Sequence, residues 1–380
     1  MFILFRRIVL LALITTCVAI FIFISLINSD IRQSPSDVFI NHHTLKSLLS
    51  PSSSAVQSNP SQNRVHIWSP PKAYNPKYDH HLIYRYEYEP FVDRFSLEIK
   101  SCPSSVNKTN MDLIPRPMVV LVTSSPANFD RRQAIRETWS RHSMAINVSV
   151  FFTMGTIDDQ LIMKRVKDED SINHDLIQWN FVDSYANLTL KSMLALRWSV
   201  DHCDQSAFVM KTDDDMYVNL RMFVETFARP LMESPDDNLS SIYGFTTWTT
   251  QVNRDHGHSQ SVPIELYGGR VYPMFVSGVL YIVGSRAVGD LVSAAEHLLP
   301  GLFLEDVYLT GFAADHANIK RQFLSANIAY WSCPRVQTSS VLINRAVIGH
   351  KCSPDDLRRI HRLVSKSRFK FFTKPASNLL

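Results

Sequence analysis

Several signatures that assign a chemistry at sight are missing from this chain. It holds no G-x-S-x-G, H-E-x-x-H, C-x-x-C or G-x-G-x-x-G pattern, so serine-hydrolase, zincin and dinucleotide-binding readings have no support. Excess charge of one sign is scarce too. With 39 Lys+Arg against 35 Asp+Glu, the net charge is +4 over 380 residues, which gives a nucleic acid no electrostatic footprint and excludes it as an expected partner. No internal repeat is present. Cysteine is sparse, with five residues. Cys17 lies in an apolar run, and Cys102, Cys203, Cys333 and Cys352 remain, an even set that permits three pairings in an oxidising compartment or buried free thiols.

What is present begins with a hydrophobic run. Arg6 and Arg7 precede Ile8 to Ile27, a stretch without charge or proline that is long enough to cross a bilayer as a helix at about 1.5 Å per residue. A cleavable signal peptide, with its shorter apolar core, fits less well. Because the basic pair lies ahead of the run, the expected topology has residues 1–7 as a cytosolic tail, 8–27 as a signal anchor, and all that follows in the lumen. Four acceptor sequons agree with a lumenal body, at Asn107, Asn147, Asn187 and Asn238. Residues 28–101 read as a stem, irregular and rich in Pro and Ser near 51–62, although the aromatic stretch Tyr74 to Phe95 suits packing on a globular body.

Residues 102–380 suffice for one large α/β domain. Apolar runs at Met118 to Thr123, Val148 to Met154, Ile177 to Val182 and Phe208 to Met210 read as strands. Helical patterns at 130–142, 158–168 and 188–202 separate them. Such alternation predicts parallel strands joined by crossover helices, with ligands bound beyond the strands' carboxyl ends. Tyr272 to Val283 and Ile319 to Tyr330 break the alternation and point to a mixed sheet. Near the C-terminus, Ser353-Pro354-Asp355-Asp356 opens a helix with Leu357, Ile360, Leu363 and Val364 on one side. The basic residues among 358–374 are its solvated face.

Three clusters carry candidate chemistry. The strand ending at Met210 delivers Asp213, Asp214 and Asp215 to a sheet edge. Three carboxylates in one cleft need a cation or hydrogen-bond donors, and hard oxygen ligands suit Mn²⁺ or Mg²⁺, which bridge phosphate oxygens. Alone, an Asp triplet is more simply a solvated turn. Arg132 and Arg136, one helical turn apart in Phe-Asp-Arg-Arg-Gln-Ala-Ile-Arg-Glu-Thr-Trp, can meet either a nucleotide diphosphate or an internal carboxylate. Glu305 and Asp306, in Leu-Glu-Asp-Val-Tyr-Leu-Thr-Gly, fall at a loop-to-helix junction where acids are also common as caps. The pattern of an aspartyl-phosphate phosphatase is absent, because Met216-Tyr217 follows the triplet.

In order along 117 to 363, the segments RRQAIRETW, DSYANLTLKS, FVMKTDDDMYVN, YPMFVSGVLYIVG, LEDVYLTG and GHKCSP resemble the β-1,3-galactosyltransferase and β-1,3-N-acetylglucosaminyltransferase group of glycosyltransferase family 31. The resemblance implies a GT-A fold in the Golgi that binds a UDP-sugar with Mn²⁺. It implies Asp215 as the direct metal ligand, Asp213 as ligand nearer the ribose and sugar, and His350 as completing the shell. Asp214, Arg132 and Arg136 are expected at the donor, Asp306 as catalytic base, and Gly278, Leu280 and Glu305 around the acceptor. The implied reaction inverts an α-linked donor, galactose or an N-acetylhexosamine, into a β-1,3 product on a glycoprotein or glycolipid. Two departures stand out. Phe275-Val276-Ser277-Gly278-Val279-Leu280-Tyr281 lacks the family's cysteine and second glycine, and Phe312, Ala313 and Ala314 stand where a further cysteine is common; the joint loss fits a missing disulfide. The remaining cysteines are expected to pair as Cys333–Cys352 and Cys102–Cys203. The reading from another class is a catalytically silent relative acting as a lumenal lectin or chaperone-like partner, against which the intact triplet Asp213, Asp214 and Asp215, together with Asp306 and His350, speaks.

Overall fold

The computed structural model describes residues 95–97, 100–102, 114–233, 236–255, 257–264, 266–298, 302–324, 333 and 347–372. The expected cytosolic tail, anchor and sequon Asn107, and nearly all of the stem, lie outside them. Among the described residues no helix is long and apolar enough to cross a membrane. The body described below comprises residues from Phe95 to Ser261 and from Val271 onward. Val262–Arg270 is a separate short unit, a turn in which Leu266 and Tyr267 donate their amides to the Pro263 carbonyl.

Three crossover units build the first half. Strand β1 (Met118–Thr123) leads to helix α1 (Phe129–Glu137), β2 (Val148–Thr156) to α2 (Gln160–Asn173), and β3 (Leu176–Val182) to α3 (Leu188–His202), which returns to β4 (Phe208–Asp213). The sheet order is β3-β2-β1-β4-β7-β6-β8, where β6 is Ser241–Thr247, β7 Phe275–Gly284 and β8 Lys320–Phe323. The first four strands run parallel, β7 is antiparallel to β4 and β6, and β8 is parallel to β6. This is the mixed sheet that the sequence predicts. Register puts Thr123 beside Asp213, so β1 and β4 end together at one edge. A second, two-stranded sheet pairs β5 (Tyr217–Val218) with β9 (Val347–Gly349).

Alternation along the strands fills two layers. Met118, Val120, Val122, Phe152 and Met210 share one core with Ile135 of α1, with Trp139 just beyond it, and with Leu357, Ile360 and Val364 of α5 (Pro354–Phe372). Helix α3 packs on β1 and β2 and against α4 (Ser285–His297); its residues from Thr189 to Leu196 are all buried, as a helix enclosed on every side requires. Helix α5 opens with a reciprocal cap, the Ser353 hydroxyl accepting from the Asp356 amide at 3.1 Å and the Asp356 carboxylate from the Ser353 amide at 3.1 Å.

Several boundaries differ from expectation for local reasons. Helix α1 stops at Glu137 rather than 142, because the Thr138 hydroxyl turns back onto the Ala134 carbonyl at 2.6 Å. Helix α2 runs on to Asn173, started by the Asp159 side chain and stopped by His174 in the left-handed conformation. Strand β4 continues through Lys211, Thr212 and Asp213 even though the apolar run ends at Met210. Of Ile319 to Tyr330, Lys320–Phe323 is strand, and residues 325–330 lie outside the described region.

The chain ahead of the domain packs on it. Ser96 donates its amide to the Gln178 carbonyl at 2.8 Å, Phe95 faces the Trp179 ring at 5.9 Å, and Lys100 pairs with Asp170 at 2.6 Å. Two disulfides, Cys102–Cys203 and Cys333–Cys352, are formed as expected.

Candidate active site

The edge where β1 and β4 end gathers most of the singled-out residues. Asp213 closes β4, and the turn after it is fixed by backbone bonds from Asp214 to the Thr123 carbonyl at 3.2 Å and from Cys352 to the Asp215 carbonyl at 2.8 Å. The second bond, with the β5–β9 pairing of Tyr217 to Gly349, brings the segment carrying His350 alongside the Asp turn. The Cys333–Cys352 bridge clamps it there.

The three aspartates have separate environments. Asp214 is buried, accepting from the Ser124 hydroxyl and the Asn128 amide, both at 2.8 Å. It locks the β1–α1 loop to the turn. Asp213 is half-buried and takes a hydrogen bond from Lys211 at 2.8 Å. The Asp215 Oδ1 atom is buried and finds no hydrogen-bond partner among the described residues. Burial, and then the neighbouring Asp213 and Asp214 charges, push the Asp215 carboxyl up to about 6. Burial, then Lys351, lowers His350 from the ordinary histidine range. Among the described residues no three His, Cys, Asp or Glu groups converge closely enough to hold a metal ion. Asp213, Asp215 and His350 therefore share an edge without forming a coordination set in this conformation.

Arg132 and Arg136 take the other option their spacing left open. Arg132 is fully buried, and its donors go to Glu169, Ser124, and the carbonyls of Ser125 and Pro126. A guanidinium has five N–H groups, and these contacts use them all, so none is left for a phosphate. Arg136 forks onto Asp175 at 2.8 and 2.7 Å and reaches Glu169 at 2.7 Å. Glu169 thus bridges both arginines, and the expected donor role of the pair is replaced by an internal network. The guanidinium that does reach the Asp turn is Arg131, 3.3 Å from the Cys352 carbonyl and 3.6 Å from Asp214. Its neighbourhood in RRQ was the available signal.

Across the edge lies Asp306, half-buried, one oxygen accepting the Gly278 amide at 2.9 Å and the other the Val307 amide at 2.9 Å. It opens a wide helical turn, Val307–Ala313, of π type, a geometry met often at functional sites. Thr310 anchors that turn to β7, accepting from the Val276 amide at 2.8 Å and donating to the Asp306 carbonyl at 2.6 Å. Burial raises the Asp306 carboxyl above the ordinary aspartate range.

Strand β7 is bulged here. Val276 opposes Thr246 and Tyr281 opposes Gly244, leaving four residues of β7 against Phe245 alone. The bulge carries Gly278 against the carboxylates: a Cβ there would stand 2.9 Å from a Glu305 oxygen and 3.1 Å from the Asp306 Cβ, so a side chain does not fit. Leu280, at the other end of the bulge, is fully buried in the core with Met210 and Ile282. That corrects its expected place in the acceptor pocket. Glu305 is likewise buried, accepting from the Tyr281 hydroxyl at 2.7 Å with Lys211 3.5 Å away. Burial pushes it up to about 7.

Sequence reasoning missed Lys211. It is buried, bonded to Asp213 and to the Gly278 carbonyl at 2.6 Å, and though burial opposes its charge, Asp213 and Glu305 hold its pKa above the ordinary lysine range. The signal was a lone cation inside an apolar strand. In the segment 183–192, Asp183 pairs with buried Lys191 at 2.8 Å, and Lys191 also donates to the Ser124 carbonyl. Among the sequons, Asn147, Asn187 and Asn238 are half-buried; the Asn187 amide donates to the Val182 carbonyl at 2.8 Å.

Known proteins match this chain across the same region. The galactosyltransferase family profile covers residues 130–325. β-1,3-Galactosyltransferase 1 of Mus musculus and of Homo sapiens is 31% identical over 253 residues, covering 66% of this chain and 74% of the relative. Lactosylceramide 1,3-N-acetyl-β-D-glucosaminyltransferase A of Danio rerio is 29% identical over 215 residues, covering 54% of this chain and 55% of the relative. Among solved structures, a galactosyltransferase with donor and acceptor sugar analogues bound aligns at TM-score 0.34 and 11% identity over 66% of this chain and 95% of that one, a distance at which nothing is carried over. An Asp turn and a carboxylate-bearing helix at one end of a mixed sheet, in a chain that matches the family profile over residues 130–325 and β-1,3-galactosyltransferase 1 over 66% of its length, identify it as a glycosyltransferase of the galactosyltransferase family, in the β-1,3-transferase group of family 31.

Proposed function

We propose that this protein transfers a hexose, galactose in the first instance, from a UDP-sugar to the 3-hydroxyl of an acceptor glycan on a glycoprotein or glycolipid, with inversion, in a GT-A type body. What carries the reading is the buried, unpartnered Asp215 oxygen beside Asp213, with Asp306 held across the same edge. An uncompensated carboxylate of this kind suits a hard divalent cation, and Mg²⁺-type ions are held by one or two carboxylates together with substrate phosphates and waters, so Asp215 and Asp213, with His350 on the same edge, would hold Mn²⁺ or Mg²⁺ without a closed protein cage. When bound, such an ion supplies Lewis-acid stabilisation of the leaving diphosphate.

The chain's own residues do the rest. A sugar hydroxyl is a poor nucleophile at neutral pH, so a fixed carboxylate within hydrogen-bond reach must take its proton during attack. Asp306 is fixed by two amides and is the more accessible of the adjacent pair; Glu305 is enclosed. Both Asp306 oxygens keep acceptor capacity, since a carboxylate offers about four lone-pair sites. Arg131 adds a positive charge beside the turn. The apolar run 8–27, the sequons and the two disulfides support a single-pass Golgi enzyme with its body in the lumen.

The test is a UDP-release assay on the full-length protein, with each UDP-sugar, a panel of glycan acceptors, and Mn²⁺ present or chelated. Acceptor-stimulated release that needs the metal is the expected result. Tight glycan binding without release from any donor would support the silent-lectin reading instead.

A further inference from the structure

We infer that Lys211 is a positioning residue for the transfer step, its ammonium tying the Asp turn to the Gly278 peptide that holds Asp306. The inference rests on the proposed function and assigns a residue that the family resemblance left without a role.

The connection is continuous. Lys211 Nζ donates to Asp213 at 2.8 Å and to the Gly278 carbonyl at 2.6 Å, and the Gly278 amide donates to the Asp306 carboxylate at 2.9 Å. Three hydrogen bonds, joined by one ammonium and one residue's backbone, therefore link the donor-side carboxylate to the base. Gly278 sits in the four-residue bulge of β7, where the regular ladder to β4 has ended at Thr212 and Leu280. Among the described residues no strand pairing holds its carbonyl. Lys211 does so in the ladder's place, and a charged donor makes the stronger bond. The missing Cβ lets the strand lie against Glu305 and Asp306, so the backbone is placed closely enough that small shifts in it move Asp306.

The plainer role for a buried lysine among carboxylates is charge compensation. Glu305, 3.5 Å from Nζ, and Asp213 supply a reason for it. The two roles differ in what should repair the site. Compensation is satisfied by removing one negative charge together with the positive one; holding the Gly278 carbonyl is not.

The experiment compares wild type, Asp306→Asn, Lys211→Met and Lys211→Met/Glu305→Gln in the full chain purified in detergent. UDP affinity, melting temperature, and kcat and KM toward the acceptor are measured for each. Lys211→Met is expected to lower kcat by about 10²-fold, the scale for a reacting group displaced by about 1 Å, with acceptor KM and UDP affinity changed far less. The double variant, in which the charge deficit is removed, is expected to recover melting temperature but not kcat. Recovery of kcat to near wild type in the double variant would overturn the inference, as would parallel loss of UDP affinity and kcat in both. A wild-type kcat that is insensitive to Asp306→Asn would sink the proposed base itself, and the positioning role with it.

Discussion

Replacing Arg132 with methionine separates the internal network from a donor role. The side chain is fully buried, and its removal orphans the Pro126 carbonyl and takes one of two donors from the Ser125 carbonyl, while leaving Glu169 with Arg136 as its remaining cation. Breaking a buried ion pair from one side costs roughly 3–5 kcal/mol. The residual Arg136 contact places this case near the lower end, and the orphaned Pro126 carbonyl adds about 1 kcal/mol. The expected loss is therefore about 4 kcal/mol, or roughly 8–16 °C in melting temperature for a domain of this size. Arg132→Lys should recover only part of it, because an ammonium cannot reproduce a five-donor fork. Thermal unfolding followed by circular dichroism measures the loss, and UDP-sugar affinity is measured well below the transition. An Arg132→Met protein that melts within about 2 °C of wild type but binds donor tenfold more weakly would refute the assignment.

The remaining predictions concern separate sites. Asp306→Asn should lower turnover by about 10² to 10⁴ with donor affinity nearly unchanged, whereas Glu305→Gln losing transfer while Asp306→Asn keeps it would move the base by one residue. Asp215→Ala should abolish metal-dependent UDP-sugar binding, read by calorimetry with and without chelator, and leave the circular dichroism spectrum intact. For Glu169, burial alone would raise the carboxyl, but Arg132 and Arg136 outweigh it and hold its pKa below the usual glutamate range. Its contribution is thus complete above the unfolded pKa of about 4.3 and fades as pH falls through the lower folded value, so the stability gap between wild type and Glu169→Gln should narrow in urea titrations below about pH 4. Replacing Cys102 and Cys203 together with serine should cost up to about 4.7 kcal/mol, since the bridge closes a separation of 101 residues; unchanged denaturation midpoints under reducing and non-reducing conditions would argue that the bond contributes little.

What was legible in the sequence follows from the range of the interactions involved. Strand β1 and helix α3 have the limits expected, Met118–Thr123 and Leu188–His202, because a fully buried strand and an enclosed helix are written as local apolar runs. The two disulfides and the meeting of Asp213 with the His350 segment also fit their expected pairing. Partners distant in sequence were not legible. Nothing local tells Arg132 that Glu169, 37 residues away, will take its fork. The bulge in β7 is equally hidden, since Leu280 reads as a substituted glycine near the acceptor until an uneven register turns it into the core. Asp214 was expected at the donor beside the metal ligands Asp213 and Asp215, and only the return of the β1–α1 loop reveals its bonds to Ser124 and Asn128.

The contact of Phe95 and Ser96 with β3 covers part of a strand rim of the sheet. β3 is an outermost strand of the seven-stranded sheet, and an open strand rim is a template for pairing with another chain. The opposite rim, β8, is four residues long and carries Lys320 and Arg321, features that discourage such pairing. β3 has Ile177 and Trp179 instead, and the incoming segment shields it by bridging Phe95 to Trp179 and bonding Ser96 to Gln178. A secreted version trimmed to begin just before Cys102 would keep both disulfides and every residue of the proposed site, yet would bare that rim and self-associate.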